Sequence, residues 1–357
     1  MDIQTLLGYV VQQGASDLHL IASMPPTLRM HGVLMAIPQL PALSNEEMQN
    51  LIDPLLAPEQ KEQLKVNMEV DLSYQYGKEG RFRINVYHQR GVLAAALRLI
   101  PSKIKTIEEL HLPAICHELT KLRQGLVLIV GPTGHGKSST LAAMIDEINQ
   151  TRSENILTIE DPIEFVYPPA KSMVSQRELH ADTHSWEVAL KSALREDPDV
   201  VLVGEMRDYE TIAATLTVAE TGHLVFTTLH TNSAAQTIDR IIDVFPATQQ
   251  AQVRSQLAMS LQAVVSQRLL PNLQGGRSVA TEILVATSAV RNLIREGKAF
   301  QLDNVIQTSL EFGMMSLESS LAQLVQSGQI TLEKAQEYAM KQDDLAKFMG
   351  TGKTVGQ

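Results

Sequence analysis

Gly131-Pro-Thr-Gly-His-Gly-Lys137-Ser138 sets three glycines, a lysine and a hydroxyl side chain between the apolar run Leu126-Val-Leu-Ile-Val130 and a helical pattern from Ser139 to Ile148. That spelling, with a strand before it and a helix after it, is a phosphate-binding loop. Gly131, Gly134 and Gly136 let backbone N–H groups approach phosphate oxygens without a Cβ in the way. The helix that follows aims its unpaired N–H groups and positive dipole end at the same point. Pro132, Thr133, His135 and Ser139 complete the cradle. Lys137 is expected to reach the β- and γ-phosphates of ATP and Ser138 to ligate Mg²⁺. A plain strand-turn-helix corner needs neither of them. Gly350-Thr-Gly-Lys-Thr354 resembles half of the same motif but lacks the first glycine, the strand and the helix, and reads as tail.

Three further apolar runs end in residues able to act on a bound triphosphate. In an open parallel sheet, ligands collect at the carboxyl ends of the strands. Ile156 to Ile159 is followed by Glu160-Asp-Pro-Ile-Glu164, Val200 to Val203 by Gly204-Glu205, and Leu224 to Leu229 by His230. Hydrolysis of a γ-phosphate needs Mg²⁺, a group that orients or deprotonates water, and cations that balance the developing charge. Val200-Val-Leu-Val-Gly-Glu205 is a Walker B-like strand with Gly-Glu where many P-loop enzymes have Asp-Glu. Glu205 therefore meets Mg²⁺ through water, or the metal rests on Ser138 alone. Glu160 and Glu164 both stand as general base; Pro162 fixes the turn between them, so at most one faces the phosphate. His230 is placed to hydrogen-bond a γ-phosphate, although a strand-end histidine by itself is more often structural.

These residues need an α/β scaffold, and the chain supplies one. Its 357 residues, 44% apolar, suggest two or three domains. The longest apolar runs are strand-sized and Asp2 stands where a signal peptide carries basic residues, so neither a membrane span nor a leader is expected. The single cysteine, Cys116, excludes an internal disulfide and a cysteine zinc site and reads as a small buried hydrophobe. A net charge of -10 disfavours a general nucleic-acid binder. Ile3, Leu6, Leu7, Val10 and Val11 repeat at helical spacing before Gly14, and Ser44-Asn-Glu-Glu47 has the form of a helix start. Strands are expected near Asp17 to Ile21, Leu28, Val33, Val70 to Tyr76, Arg81 to Tyr87 and Leu93 to Leu99. Ile100-Pro-Ser-Lys-Ile-Lys105 opens a linker. Beyond it, strand and helix alternate, with helices near 139 to 150, 185 to 196 and 209 to 221. The remainder is expected to be helical: Val253, Leu257, Leu261, Val264 and Val265 form one stripe, Ser288 caps 289 to 296, and Leu317, Leu321 and Leu324 form another.

Ala15-Ser-Asp-Leu-His-Leu20, Gly80-Arg-Phe-Arg83, the loop 131 to 138, Thr158-Ile-Glu-Asp-Pro-Ile-Glu-Phe165, Leu194-Arg-Glu-Asp-Pro-Asp199, Gly204-Glu-Met-Arg-Asp208, Thr221-Gly-His223 and Thr228-Leu-His-Thr231 occur in this order. Together they resemble the secretion ATPase superfamily, and within it the PilT-type retraction ATPases of type IV pili, from the first helix to about residue 345. Ala289-Val-Arg-Asn-Leu-Ile-Arg-Glu296 resembles the signature of the retraction branch, with Val290 where isoleucine is usual. The resemblance implies a PAS-like α+β domain over 1–100, a linker over 101–112 and a RecA-like P-loop ATPase domain over 113–357. Within the last, a helical part spans about 247–345 and a flexible tail 346–357. It assigns Lys137 and Ser138 to phosphate and Mg²⁺, Glu164 to the catalytic carboxylate and Glu205 to the Walker B position. Glu160 falls beside the nucleotide, His223 and His230 fall in a His box, and Arg81, Arg83 and Arg98 are candidate arginine fingers, in cis or from a neighbour. His135 in place of serine and Ser139 in place of threonine depart from the pattern.

The expected function is a homohexameric, Mg²⁺-dependent ATPase motor in the cytoplasm, peripheral to the inner membrane at the pilus base. It would act on a membrane platform protein to withdraw pilin, without inserting into the membrane and without nucleic acid. Arg291 and Arg295 are expected to face outward toward a partner. The alternatives are an accessory PilU-type retraction ATPase that works beside a main motor, and a nucleotide-gated assembly scaffold with little turnover. A DNA-translocating ring is disfavoured by the acidic balance.

Overall fold

Asp2 and Gly14 bracket the first helix, α1 (Ile3–Gln13): the Asp2 carboxylate accepts the Thr5 N–H, and Gly14, at φ 64°, donates to the Val10 and Val11 carbonyls. The computed structural model describes residues 2–30, 32–77, 80–100 and 103–350. These divide into two compact units, Met1–Lys103 with Pro162–Val166, and Ile104–Asp161 with Tyr167–Gln357. Pro101, in the expected linker, and residues 351–357 of the expected tail lie outside the described residues.

In the first unit, α1 is followed by strands β1 (Asp17–Ile21), β2 (Thr27–Met30) and β3 (Val33–Ala36) and by helices α2 (Asn45–Ile52) and α3 (Pro58–Asn67). Long strands β4 (Glu69–Tyr76), β5 (Gly80–Gln89) and β6 (Val92–Ile100) complete an antiparallel sheet of order β3-β2-β1-β6-β5-β4. Helix α2 begins in a capping box, with Ser44 Oγ accepting the Glu47 N–H and the Glu47 carboxylate accepting the Ser44 N–H. Period-two alternation on β5 buries Phe82, Ile84 and Val86 against α1 and α2 and leaves Arg81 and Arg83 on the other face.

The second unit opens with α4 (Ile115–Thr120), β7 (Gly125–Val130), α5 (Lys137–Thr151), β8 (Asn155–Glu160) and β9 (Met173–Glu178). It continues with α6 (Trp186–Ala193), β10 (Val200–Val203), α7 (Tyr209–Glu220), β11 (Leu224–Leu229), α8 (Ala234–Asp243) and α9 (Ala247–Ser260). Strands β12 (Leu261–Pro271) and β13 (Arg277–Val285) precede the short helices α10 (Ser288–Arg295), α11 (Leu302–Thr308), α12 (Leu317–Gln326), α13 (Leu332–Tyr338) and α14 (Gln342–Phe348). The sheet order is β13-β12-β7-β11-β10-β8-β9, and only β13 runs antiparallel to its neighbour. All six residues of β7 are buried because helices cover both faces. Leu126, Leu128 and Val130 pack with Ile238 of α8 and Leu257 of α9, while Val127 and Ile129 pack with Leu141, Met144, Ile145 and Ile148 of α5. This is the doubly covered parallel sheet of a RecA-like P-loop domain.

Two elements differ from the sequence-based expectation. The stripe through Val253 and Leu257 is helical only to Ser260; Leu261, Val264 and Val265 lie on β12, which pairs with β7 and turns back as β13. A polar edge strand, β9, also joins β8. Cys116 is buried, and burial pushes its thiol up to about 12, so it is an inert core side chain. Among the described residues no helix is long and apolar enough to cross a membrane.

Candidate active site

The carboxyl ends of β7, β11, β10 and β8 lie side by side, since Val130 pairs with Leu229 and Val203 pairs with both Thr227 and Ile159. The loops that leave these ends carry the site. After β7 the chain turns through Gly131, Gly134 and Gly136 at φ 142°, 79° and 84°, a backbone that side chains disfavour. Gly136 caps α5, whose first turn contains Lys137, Ser138 and Ser139. The Lys137 side chain folds back over the loop. Its Nζ donates to the Gly131 and Pro132 carbonyls at 2.8 and 3.1 Å and lies 3.3 Å from His230 Nδ1.

His230 connects this lysine to Glu205. Its Nδ1 faces two donors, Lys137 Nζ and Thr133 Oγ1 (3.2 Å), and so acts as acceptor. The ring proton therefore sits on Nε2, which donates to Glu205 Oε1 at 3.0 Å, while Arg207 Nη2 approaches Glu205 Oε2 at 3.0 Å. Burial acts to raise the Glu205 carboxyl, but the Arg207 hydrogen bond and the His230 contact outweigh it and hold the group below its ordinary range. Glu205 is thus a carboxylate at neutral pH. A cleft of about 620 Å³ is lined by Glu205, Arg207 and His230 together with Thr231 and with Asp239 and Arg240 of α8, so solvent reaches the carboxylate.

The glycine of the Gly-Glu spelling sits where space for a side chain is tight. A Cβ on Gly204 would stand 3.3 Å from the Glu160 Cα and 3.4 Å from the Ile159 carbonyl, a tight fit. Glu160 is buried at the end of β8 and accepts from Thr158 Oγ1 at 2.8 Å. Asp208, at the end of the same motif, is the N-cap of α7 and accepts the Thr211 N–H. After His230, the chain is pinned by β12 and β13. Ser266 Oγ donates to the Asn232 carbonyl, Arg268 reaches Asn232 Oδ1, and half-buried Glu282 accepts the Ala234 N–H at 2.7 Å. Burial pushes Glu282 up to about 7, helped by Asp303 and Glu318 and opposed by the Ala234 bond and Lys341.

The second unit thus gathers the loop 131–139, Glu160, Glu205 and His230. Glu164 belongs to the segment Pro162–Val166, which clusters with the first unit. Arg81, Arg83 and Arg98 share one face of the first unit's sheet: Arg83 pairs across strands with Arg98, which pairs with Asp17 on its other side. Arg98 Nε donates to Asp17 Oδ1 at 2.8 Å. His223 is not brought to the loop. It precedes β11 at the amino ends of the strands, its Nδ1 3.0 Å from both the Val218 carbonyl and Thr221 Oγ1. Arg291 does not face outward as expected. It donates to the Ala258 and Met259 carbonyls in the last turn of α9 and to the Ala286 carbonyl, while Arg295 is exposed. Arg207 was missed by sequence reasoning; its only signal was its place two residues beyond Glu205.

The donor set suits a magnesium nucleotide. Ser138 and Glu205 offer hard oxygen atoms, and Mg²⁺ takes few protein ligands and completes its shell with phosphate oxygens and water. Among the described residues no group of three or more His, Cys, Asp or Glu side chains could hold a metal ion unaided. When bound, the ion would neutralise charge on the β- and γ-phosphates.

Residues 2–282 match the family described as type II/IV secretion system protein. The chain is 50% identical over 339 residues to the type IV pilus retraction ATPase PilT of Pseudomonas aeruginosa, covering 95% of this chain and 98% of that one. It is 50% identical over 327 residues to a twitching motility protein of Neisseria gonorrhoeae, covering 91% and 87%. A solved structure of the pilus retraction motor PilT with bound ADP superposes with a TM-score of 0.91 at 46% identity, covering 97% of this chain and 99% of that one.

Proposed function

The chain belongs to the type II/IV secretion system protein family, and from that premise we propose that it is the ATP-hydrolysing motor that powers type IV pilus retraction. The observation that carries the reading is the chain of contacts from Lys137 through His230 to Glu205, which couples phosphate binding to the Walker B carboxylate. A γ-phosphate arriving in the loop competes with the Gly131 and Pro132 carbonyls and with His230 for the Lys137 ammonium. Transfer of Lys137 to phosphate frees His230 Nδ1, and the ring can then report the γ-phosphate to Glu205 through its Nε2–H. Glu205, held ionised, orients or deprotonates water for in-line attack.

Glu164 is the second carboxylate of this scheme and Arg81, Arg83 and Arg98 its candidate charge-balancing groups, in cis or from a neighbouring protomer. The working form is a homohexamer on the cytoplasmic side of the inner membrane, acting on the pilus platform protein. Glu205→Gln should still bind ATP yet lose about 10²–10⁴-fold in turnover, because general-base or water-orienting catalysis is worth about that much. Lys137→Ala should instead lose affinity. Steady-state phosphate release beside ATP titration checks both, and a Glu205→Gln protein with wild-type turnover removes Glu205 from the chemistry.

A further inference from the structure

We propose that Gln267, on β12, is a positioning residue that holds the phosphate loop in its binding shape and so sets affinity for nucleotide. Strand β7 ends at Val130, paired with Ser266, but β12 runs on to Pro271. Its next residues, Gln267 to Leu269, present an edge that β7 no longer covers, and the phosphate loop takes it. The Gln267 backbone carbonyl lies so close to Gly131 that a Cβ there would come within 2.4 Å of it. The Gln267 side chain is 1% exposed and both ends of its amide are used. Nε2 donates to the His135 carbonyl at 2.6 Å, in the loop, and Oε1 accepts from Thr140 Oγ1 at 2.9 Å, on α5. A third tie comes from His135 itself, whose Nδ1 accepts the Leu269 N–H at 3.0 Å.

The loop needs this outside support. Its own backbone bond, His135 N–H to the Pro132 carbonyl, is long at 3.4 Å, and its three glycines favour no single conformation. Without the Gln267 amide, the His135 carbonyl and the Thr140 hydroxyl lose their partners, and the loop samples shapes whose N–H groups do not converge. Only the converged fraction binds, so the apparent dissociation constant rises by the inverse of that fraction. The factor is the same for ATP and ADP, because the cost falls on the loop before either ligand arrives.

This inference rests on the reading of loop 131–139 as the nucleotide site, and the experiment separates the two. Full-length protein is titrated with ATP and with ADP by calorimetry, which returns stoichiometry as well as affinity, for wild type, Gln267→Met, Thr140→Val and Lys137→Ala. Gln267→Met is expected to weaken both nucleotides by a common factor of about tenfold or more, with Thr140→Val smaller and also common to both. Adding Thr140→Val to Gln267→Met should cost less than the product of the single effects, as for groups that share one bond. A merely structural role lowers the number of competent sites and leaves their affinity alone. Wild-type affinity in the folded fraction of Gln267→Met overturns the proposal, and if that variant does not fold, wild-type affinity in Thr140→Val overturns it. Wild-type affinity in Lys137→Ala would instead mean that the nucleotide site itself is misplaced.

Discussion

Replacing Glu282 with glutamine should stabilise the protein, and more so as pH rises. Glu282 is half-buried on β13 and accepts the Ala234 N–H that opens α8, with Asp303, Glu318 and Lys341 around it. Its carboxyl is raised from 4.5 to about 7 in the folded chain. The folded state therefore keeps a proton that the unfolded state releases, and stability falls as pH climbs from about 4.5 to about 7 and is level above that. At about 1.4 kcal/mol per unit the full loss is about 3 kcal/mol, of which about 2 kcal/mol lies between pH 5.5 and 8. Glutamine keeps an acceptor for the Ala234 N–H and never ionises. Urea unfolding of wild type and Glu282→Gln at pH 5.5, 7 and 8 should thus show the variant's advantage growing by about 2 kcal/mol across the series. An advantage independent of pH would mean that Glu282 does not carry the proton.

Arg291→Glu should lower the melting temperature and impair hydrolysis and retraction together, because it strips the α9 carboxyl end of its cap and sets a negative charge against the α9 carbonyls, at a cost of about 1–3 kcal/mol. Arg295→Glu, on the exposed side of the same helix, should leave melting and hydrolysis within experimental error, which paired thermal and phosphate-release assays check. Gly131→Ala should abolish ATP binding even where the protein folds, since the added Cβ meets the Gln267 carbonyl at 2.4 Å and forces the loop out of shape; retained affinity in an ATP titration would contradict the loop geometry.

The phosphate loop was legible because its glycines, lysine and serine are fixed by chemistry and its flanks by period, and the strand-end rule led directly to Glu160, Glu205 and His230. The β12–β13 hairpin was not legible. Leu257, Leu261, Val264 and Val265 continue the helical spacing of Val253, and neither glycine nor proline marks the stop at Ser260. On a strand covered on both faces, a continuous apolar run looks the same as a buried helix. That miss also hid Gln267, whose importance comes from β12 outrunning β7. Arg291 was misplaced for a related reason. A helical wheel puts it at the border of the Val290, Leu293 and Ile294 stripe, and only the tertiary fold sets the end of α9 beside it. The Gly-Glu spelling looked like a weakened motif, and its glycine sits in a tight space beside Glu160.

The central claim is tested most directly by deleting the gene in its host and restoring it as wild type or as Glu205→Gln, with surface pili counted by electron microscopy and twitching motility scored. A retraction motor predicts abundant pili without motility in the deletion, reversed by the wild type and not by Glu205→Gln. Bald cells, or normal motility in the deletion, would contradict it.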